Sequence, residues 1–338
     1  MDGEPDEMRS LGVVGICKEV FNLLRSHLRL FVSLAFTLVL PLGLVIFCHT
    51  LVSDPLMNKI GRNENEKATE IPGSPAAVRT QNRLDAEFFA LAIITILYFV
   101  FVLAFSLLST AAIVYSVACI YTAKGLSYAK VISVVPRVWK RLLFTFLWAN
   151  VLIFLYYVAL FFIFVILLFL SAILNVNLLI LFIPVVILFY CLLIYFNLVW
   201  HLASVISVLE ESYGIGALKK SAELIKGKRR VACVVFVVYG MCTIFVVSLF
   251  NIFVNSNDHV NNYFGRFFFG LFLLLLWTCV HLIGILIQTV VYFVCKSYHN
   301  ENIDRYALSE HLDGYLGEYV PLKGPVSLEA LEAELEDR

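Results

Sequence analysis

The amino-acid sequence predicts an all-α integral membrane protein whose six transmembrane helices form three hairpins, each preceded by a basic amphipathic interfacial helix. Composition predicts the membrane class: 61% of the residues are hydrophobic and 15% are charged, with a mean hydropathy of +0.89. A soluble domain is about half apolar and about a quarter charged, so the apolar excess has to face lipid. Six apolar runs and a basic spacing that occurs three times predict the hairpins.

The first segment, residues 1–29, is predicted to be a cytoplasmic N-terminus that contains the first interfacial helix. It opens with the acidic stretch MDGEPDEM, whereas a cleavable signal peptide opens with a positively charged region. The first apolar run begins near Leu30 and is long enough to remain in the membrane as a span.

Six apolar runs follow within residues 30–295, the predicted membrane domain. Their approximate bounds are 30–52, 88–118, 142–174, 178–209, 231–254 and 267–295. A helix of about 20 residues crosses about 30 Å of hydrocarbon, so the longer runs should tilt or continue beyond the bilayer as helical stalks. The connection 53–87 contains GRNENEKATEIPGSP, which has the composition of a disordered loop.

Basic residues with one shared spacing, seven residues and then four, precede the first, third and fifth runs. They form a predicted lipid-facing basic belt of Lys18, Arg25, Arg29, Lys130, Arg137, Arg141, Lys219, Lys226 and Arg230. Apolar residues three or four apart in these segments predict amphipathic helices, which lie in the membrane interface. Pro136 should kink or break the second one. The alternative is that the basic residues only set the topology.

The distribution of Lys and Arg predicts that both termini are cytoplasmic. Outside the apolar runs, 19 basic residues lie on the side of the termini and 6 on the other side, and basic loops stay in the cytoplasm. Residues 296–338 then form a cytoplasmic tail, which is either solvated or offers protein partners a docking helix that begins near Ser327. The endoplasmic reticulum, another endomembrane and the plasma membrane all fit this pattern.

Polar side chains inside the apolar runs mark a candidate polar cavity. They are His201, His281, Asn150, Asn197 and Gln288. Neutral side chains of these types commonly hydrogen-bond between helices, and the alternative is that they line a path for a solute. No Asp or Glu lies deep in a run, which argues against a carboxylate-driven pump.

Catalytic residues, a metal site and a cofactor are not predicted, and the protein is expected not to be an enzyme. The eight cysteines form no CxxC pair, which argues against zinc and against a disulfide framework. GxSxG, HExxH and P-loop patterns are absent from the sequence. Cys17, Cys119 and Cys295 lie near the predicted membrane edges and are candidates for palmitoylation.

The segment from Glu210 to Arg230 reads EESYGIGALKKSAELIKGKRR. It resembles a motif of the six-helix membrane domain that accompanies some bacterial glycerophosphodiester phosphodiesterases. The matching residues are Glu211, Gly214, Ala217, Lys220, Ser221, Leu224, Lys226 and Gly227. The whole chain, including LSEHLDGYLGEYVPLKG, is similar to a family of uncharacterised multi-pass plant proteins. The resemblance implies a shared membrane architecture and not phosphodiesterase activity, which belongs to a separate soluble domain.

Two functions of different classes follow as expectations. The first is a non-enzymatic membrane protein that organises lipids or partner proteins at the cytoplasmic leaflet. Its expected partners are the lipid bilayer, with anionic lipids, and proteins that bind the tail, whereas nucleic acid is not expected. The alternative is a transporter or channel for a small or amphipathic solute. A clustered polar cavity would favour the alternative, and a solid core would favour the first function.

Overall fold

Long apolar runs fold as helices because a helix pairs its backbone N–H and C=O groups within one segment. The structure, a computed structural model, describes residues 9–71, 73–122, 127–174, 177–255 and 263–299, with only the backbone at Arg137, Asn255 and Tyr263. Within these ranges the chain forms no strand. The helices are α1 Val13–Ser26, α2 Leu28–Thr69, α3 Pro75–Tyr121, α4 Tyr128–Leu174, α5 Leu178–Leu209, α6 Ile215–Leu224, α7 Arg229–Phe250 and α8 Tyr263–Tyr298.

Six helices in these ranges are long and apolar enough to cross a membrane. Three of them are the whole helices α2, α3 and α5. The other three are Val138–Leu174 within α4, Arg229–Val254, which extends α7 by four residues, and Phe264–Tyr298 within α8. The all-helical class and the number of candidate spans are therefore confirmed. Consecutive long helices pack against each other, α2 with α3, α4 with α5 and α7 with α8.

Helices α2 and α3 extend far beyond the apolar runs that predicted them, and the expectation of a disordered loop over residues 53–87 is wrong. Helix α2 continues to Thr69, and α3 already begins at Pro75. The backbone N–H of Ala77 donates to the Ser74 side chain at 3.1 Å, which caps α3. Proline suits the first turn of a helix because its missing N–H would have no partner there.

The two extensions pack together as a helical stalk, defined here as residues 53–69 of α2 and 75–87 of α3. Glu87 forms an ion pair with Lys59 at 2.9 Å and accepts a hydrogen bond from Asn63 at 2.8 Å. Ile60 and Leu84 are buried between the helices. The stalk lies in the connection between two apolar runs, so it differs from the stalks that the length of the runs predicted.

Helix α4 contains the second basic segment and runs without a break from Tyr128 to Leu174, with Pro136 inside it. Of the two effects predicted for Pro136, the break is wrong and the kink stays a prediction, and this segment is the first part of a long helix. The helix continues through the proline because its apolar face packs well. Buried residues on both sides of Pro136 are Val131, Val134, Val135 and Val138. The first and third segments instead include the separate short helices α1 and α6.

Helix α8 lies at the centre of the packed core. Residues 284–295 of this helix are all buried, as expected of a helix that neighbours surround on every side. It contacts α1, α2, α3, α5, α6 and α7. The buried part of α5 runs from Leu198 to Leu209, so the core includes the C-terminal end of α5 and not its beginning.

The remaining parts of α4 and α5 stand apart from this core. From Asn150 to Asn197, none of the described residues is buried. The two helices contact each other there, with the rings of Phe164 and Phe182 5.1 Å apart. Large apolar side chains point away from the pair, among them Phe154, Phe161, Phe162, Phe169 and Tyr190. A surface this apolar requires apolar surroundings.

Candidate functional site

One end of the helix bundle is here called the basic end. It contains the short helices α1 and α6 and the last turns of α3, α5 and α8. The first turns of α2, α4 and α7 complete it. The Tyr121 hydroxyl at the end of α3 donates to Glu19 of α1 at 3.1 Å. The Lys228 ammonium before α7 donates to the Leu11 carbonyl at 3.3 Å. These contacts place sequence-distant positive segments next to one another.

The predicted belt residues belong to this end. Seven have exposed side chains, namely Lys18, Arg25, Arg29, Lys130, Lys219, Lys226 and Arg230. Arg141 is half-buried, and the side chain of Arg137 lies outside the part of the chain that the structure describes. Below them, the apolar face of α1 is buried through Ile16, Val20 and Leu23.

A recess of about 520 Å³ opens at the start of α7, lined by Gly227, Lys228, Arg229, Arg230, Val231 and Tyr298. Gly227 has a φ of +100°, and a Cβ there would lie 2.2 Å from the Tyr298 ring. Only glycine therefore allows this turn and this ring to meet. The ammonium of Lys228 lies 5.6 Å from the centre of the same ring.

Glu210, directly after α5, contacts two lysines. Its carboxylate lies 2.6 Å from the Lys220 ammonium and 2.9 Å from the Lys296 ammonium, and it accepts a hydrogen bond from Tyr292 at 2.6 Å. Burial alone would raise the pKa of Glu210, but the hydrogen bonds from Lys220 and Tyr292 and the charge of Lys296 hold the pKa below its ordinary value. The ionised carboxylate ties α5, α6 and α8 together.

Below the basic end, three of the five residues predicted for a polar cavity meet. His201 Nδ1 lies 2.8 Å from Gln288 Oε1, and His281 Nδ1 lies 3.3 Å from the Tyr239 hydroxyl. An amide oxygen only accepts, so His201 donates from Nδ1. These residues line a cavity of about 90 Å³. That space suits a few waters at about 30 Å³ each and is smaller than the roughly 300 Å³ of a small-molecule pocket.

The other two residues predicted for the cavity lie elsewhere. Asn150 is half-buried and donates to the Phe146 carbonyl of its own helix at 2.8 Å. Asn197 is exposed on α5. Hydroxyl groups complete the polar part of the cavity lining instead, from Ser106, Thr110, Thr145, Ser204 and Tyr239.

A family model described as a domain of unknown function (DUF8558) matches residues 1–331. The chain belongs to this family. The basic end and the polar cavity both lie within the DUF8558 match. No curated protein and no solved structure matches this DUF8558 chain.

Burial limits which cysteines of the DUF8558 chain could be palmitoylated. Of the three palmitoylation candidates, Cys119 and Cys295 are buried and Cys17 is exposed, so Cys17 alone among them offers an accessible thiol. Within the described ranges, no group of three or more His, Cys, Asp or Glu side chains could hold a metal ion.

Several residues of these sites were missed by sequence reasoning. Lys228 and Arg229 were visible in the run KGKRR, but neither fits the spacing that defined the belt. Tyr298 follows the last apolar run, and nothing in the sequence links it to Gly227. Glu210 was missed because the motif described above includes its neighbour Glu211 and not Glu210 itself.

Proposed function

We propose that this DUF8558 protein is a non-enzymatic, multi-pass membrane protein that organises anionic lipids or partner proteins at the cytoplasmic leaflet. Its six apolar helices cross the membrane as three hairpins, and both termini are cytoplasmic. Protein partners bind through the C-terminal tail, whose residues 300–338 lie outside the part of the chain that the structure describes.

The observation that carries this proposal is the concentration of exposed positive charge at one end of the bundle. Seven belt residues expose their side chains there, beside the short helices α1 and α6. A basic residue near an anionic leaflet contributes about 1 kcal/mol, less where salt screens it. Several such residues together enrich anionic lipid even though each acts weakly.

The test removes belt charge without touching the arginines next to the spans. Lys130→Gln combined with Lys219→Gln should leave insertion intact and lower the retention of anionic lipid, measured by mass spectrometry of the purified protein. The control, Arg62→Gln with Lys67→Gln, removes the same charge from exposed positions on the stalk and should leave retention unchanged. Equal retention in both variants would mean that the belt only sets topology.

A second candidate function is passage of a small solute, which the polar cavity favours. His201, His281 and Gln288 meet in it, and its volume of about 90 Å³ restricts the solute to a few heavy atoms. Vesicles that contain the protein should then swell in glycerol or urea faster than vesicles with His201→Ala, as followed by light scattering. Equal swelling rates would exclude this candidate.

A further inference from the structure

We propose that the recess at the start of α7 binds the phosphate-bearing headgroup of one anionic phospholipid. This inference rests on the proposed lipid function and gives it a defined site. The recess shares Arg230 with the belt, but it would hold one lipid at one site, whereas in the belt weak contributions from many exposed residues add together.

The charge of the recess selects an anion. The described residues that line it carry three positive charges, on Lys228, Arg229 and Arg230, and no negative charge. The guanidinium group of arginine offers paired N–H donors that match two phosphate oxygens. A phosphate between the two arginines and the lysine would therefore meet several charge-assisted hydrogen bonds.

Contacts within the protein fix the walls of the recess. Lys228 is held between the Leu11 carbonyl, at 3.3 Å, and the Tyr298 ring. His299 Nε2 lies 2.7 Å from the Lys226 carbonyl, which fixes the end of α8 against the turn before α7. A preformed site binds more tightly because little has to be ordered on binding.

The surroundings favour a lipid over free phosphate. The guanidinium of Arg229 lies 5.9 Å from the centre of the Tyr195 ring, and Tyr195 is on the candidate span α5 with 37% of its surface exposed. Val231, the first apolar residue of α7, also lines the recess. The cationic recess thus continues onto apolar helix surface, as a headgroup with attached acyl chains requires.

The first test uses the full chain in vesicles of phosphatidylcholine that contain phosphatidic acid. After gentle solubilisation, native mass spectrometry should detect one tightly held phosphatidic acid per protein. Arg229→Gln with Arg230→Gln should weaken its retention about fivefold for each charge removed, which corresponds to about 1 kcal/mol per residue. The matched control, Lys18→Gln with Lys219→Gln, removes two exposed belt charges outside the recess and should keep this lipid.

A second variant changes the shape of the recess and leaves its charge intact. Gly227→Ala forces the Tyr298 ring to move, because the added Cβ would lie 2.2 Å from it, and should release the same lipid. Gly216→Ala is the control, since a Cβ there meets no atom within 4 Å. Where Gly227→Ala fails to fold, Tyr298→Leu removes the ring instead.

Three outcomes decide the assignment. Loss of the tightly held lipid in the recess variants, with retention in both controls, supports it. Retention in the recess variants overturns it, and the wider proposal survives if Lys130→Gln with Lys219→Gln still lowers total anionic lipid. Displacement of the lipid by inorganic phosphate at millimolar concentration would also overturn it, because the recess would then be a site for the free anion.

Discussion

The side chain of Glu210 is only 13% exposed, and its carboxylate contacts Lys220, Tyr292 and Lys296. Glu210→Gln removes the negative charge that faces Lys220 and Lys296, and we expect a loss of about 2–3 kcal/mol, below the value for a fully buried pair. Thermal unfolding in detergent measures this. Glu211→Gln, at the exposed neighbouring position, should change stability little. Equal effects of both variants would contradict the assigned role of Glu210.

The same contact predicts a dependence on pH. The pKa of Glu210 is lowered in the folded protein, so its stabilising contribution is complete above the unfolded value of about 4.3 and is lost as pH falls through the folded value. The difference in unfolding temperature between the wild type and Glu210→Gln should stay constant from about pH 7 to pH 5 and shrink below about pH 4. A difference that already shrinks near pH 6 would point to another group.

The Tyr239 ring packs against α8 at Gly284. A Cβ at Gly284 would lie 2.2 Å from this ring, so Gly284→Ala should displace Tyr239 from His281 and cost about 1–3 kcal/mol. Gly240→Ala, in the helix that carries Tyr239, meets no atom within 4 Å and should be neutral or slightly stabilising. Unfolding temperatures of the two variants in one detergent test the contrast.

Among single residues, the sequence pointed to His201, His281 and Gln288 because a rare polar side chain stands out in an apolar run. It could not show that Asn150 bonds to its own helix, since that depends on a side-chain rotamer. Nor could it separate Glu210 from Glu211. The two differ only in the direction that each side chain takes after α5 ends.

At the scale of elements, the stalk shows how a helix propagates beyond the segment that predicts it. Composition favoured disorder over residues 53–87, but each added residue of an existing helix costs little compared with starting a new one. Helices α2 and α3 supply the existing turns, and Ser74 and Pro75 provide a start signal that composition alone overlooks. Burial of Ile60 and of Leu84 then stabilises the pair of helices.

Removal of one buried side chain should therefore loosen the stalk locally. Ile60→Ala should cost about 2–4 kcal/mol of local stability, and tryptic cleavage at Arg62 and Lys67 should become faster. Met57→Ala is the control because Met57 is 53% exposed. Equal cleavage rates for wild type and Ile60→Ala would show that the burial of Ile60 does not hold the stalk together. The unfolding temperature of the remaining bundle should not change.

For the whole molecule, the proposed topology predicts which side of the membrane the termini and the connection between α2 and α3 face. Tags at both termini should be degraded by protease from the cytoplasmic side of sealed vesicles, whereas a tag after Gly73, between α2 and α3, should be protected. The reason is the excess of 19 basic residues over 6 on the side of the termini. Termini on opposite sides would remove one span and break the three-hairpin arrangement.

The number and class of the helices could be predicted because hydrocarbon-length runs allow few alternatives. Their packing could not be, since apolar faces look alike in sequence. Nothing in the composition of α8 distinguishes it as the helix that six others surround. The concentration of the core near the basic end likewise depends on contacts between residues far apart in the chain.

The free-standing part of α4 and α5 has a mechanical consequence. Residues 142–209 contain no Asp, Glu, Lys or Arg, and the 32 residues of α5 are about 48 Å long at 1.5 Å per residue, against about 30 Å of hydrocarbon. In the proposed orientation this hairpin either tilts or continues beyond the hydrocarbon, and from Asn150 to Asn197 none of its described residues is buried in the core. Where the hairpin tilts, its tilt angle should depend on the thickness of the surrounding lipid, with a smaller angle in a thick bilayer and a larger one in a thin bilayer.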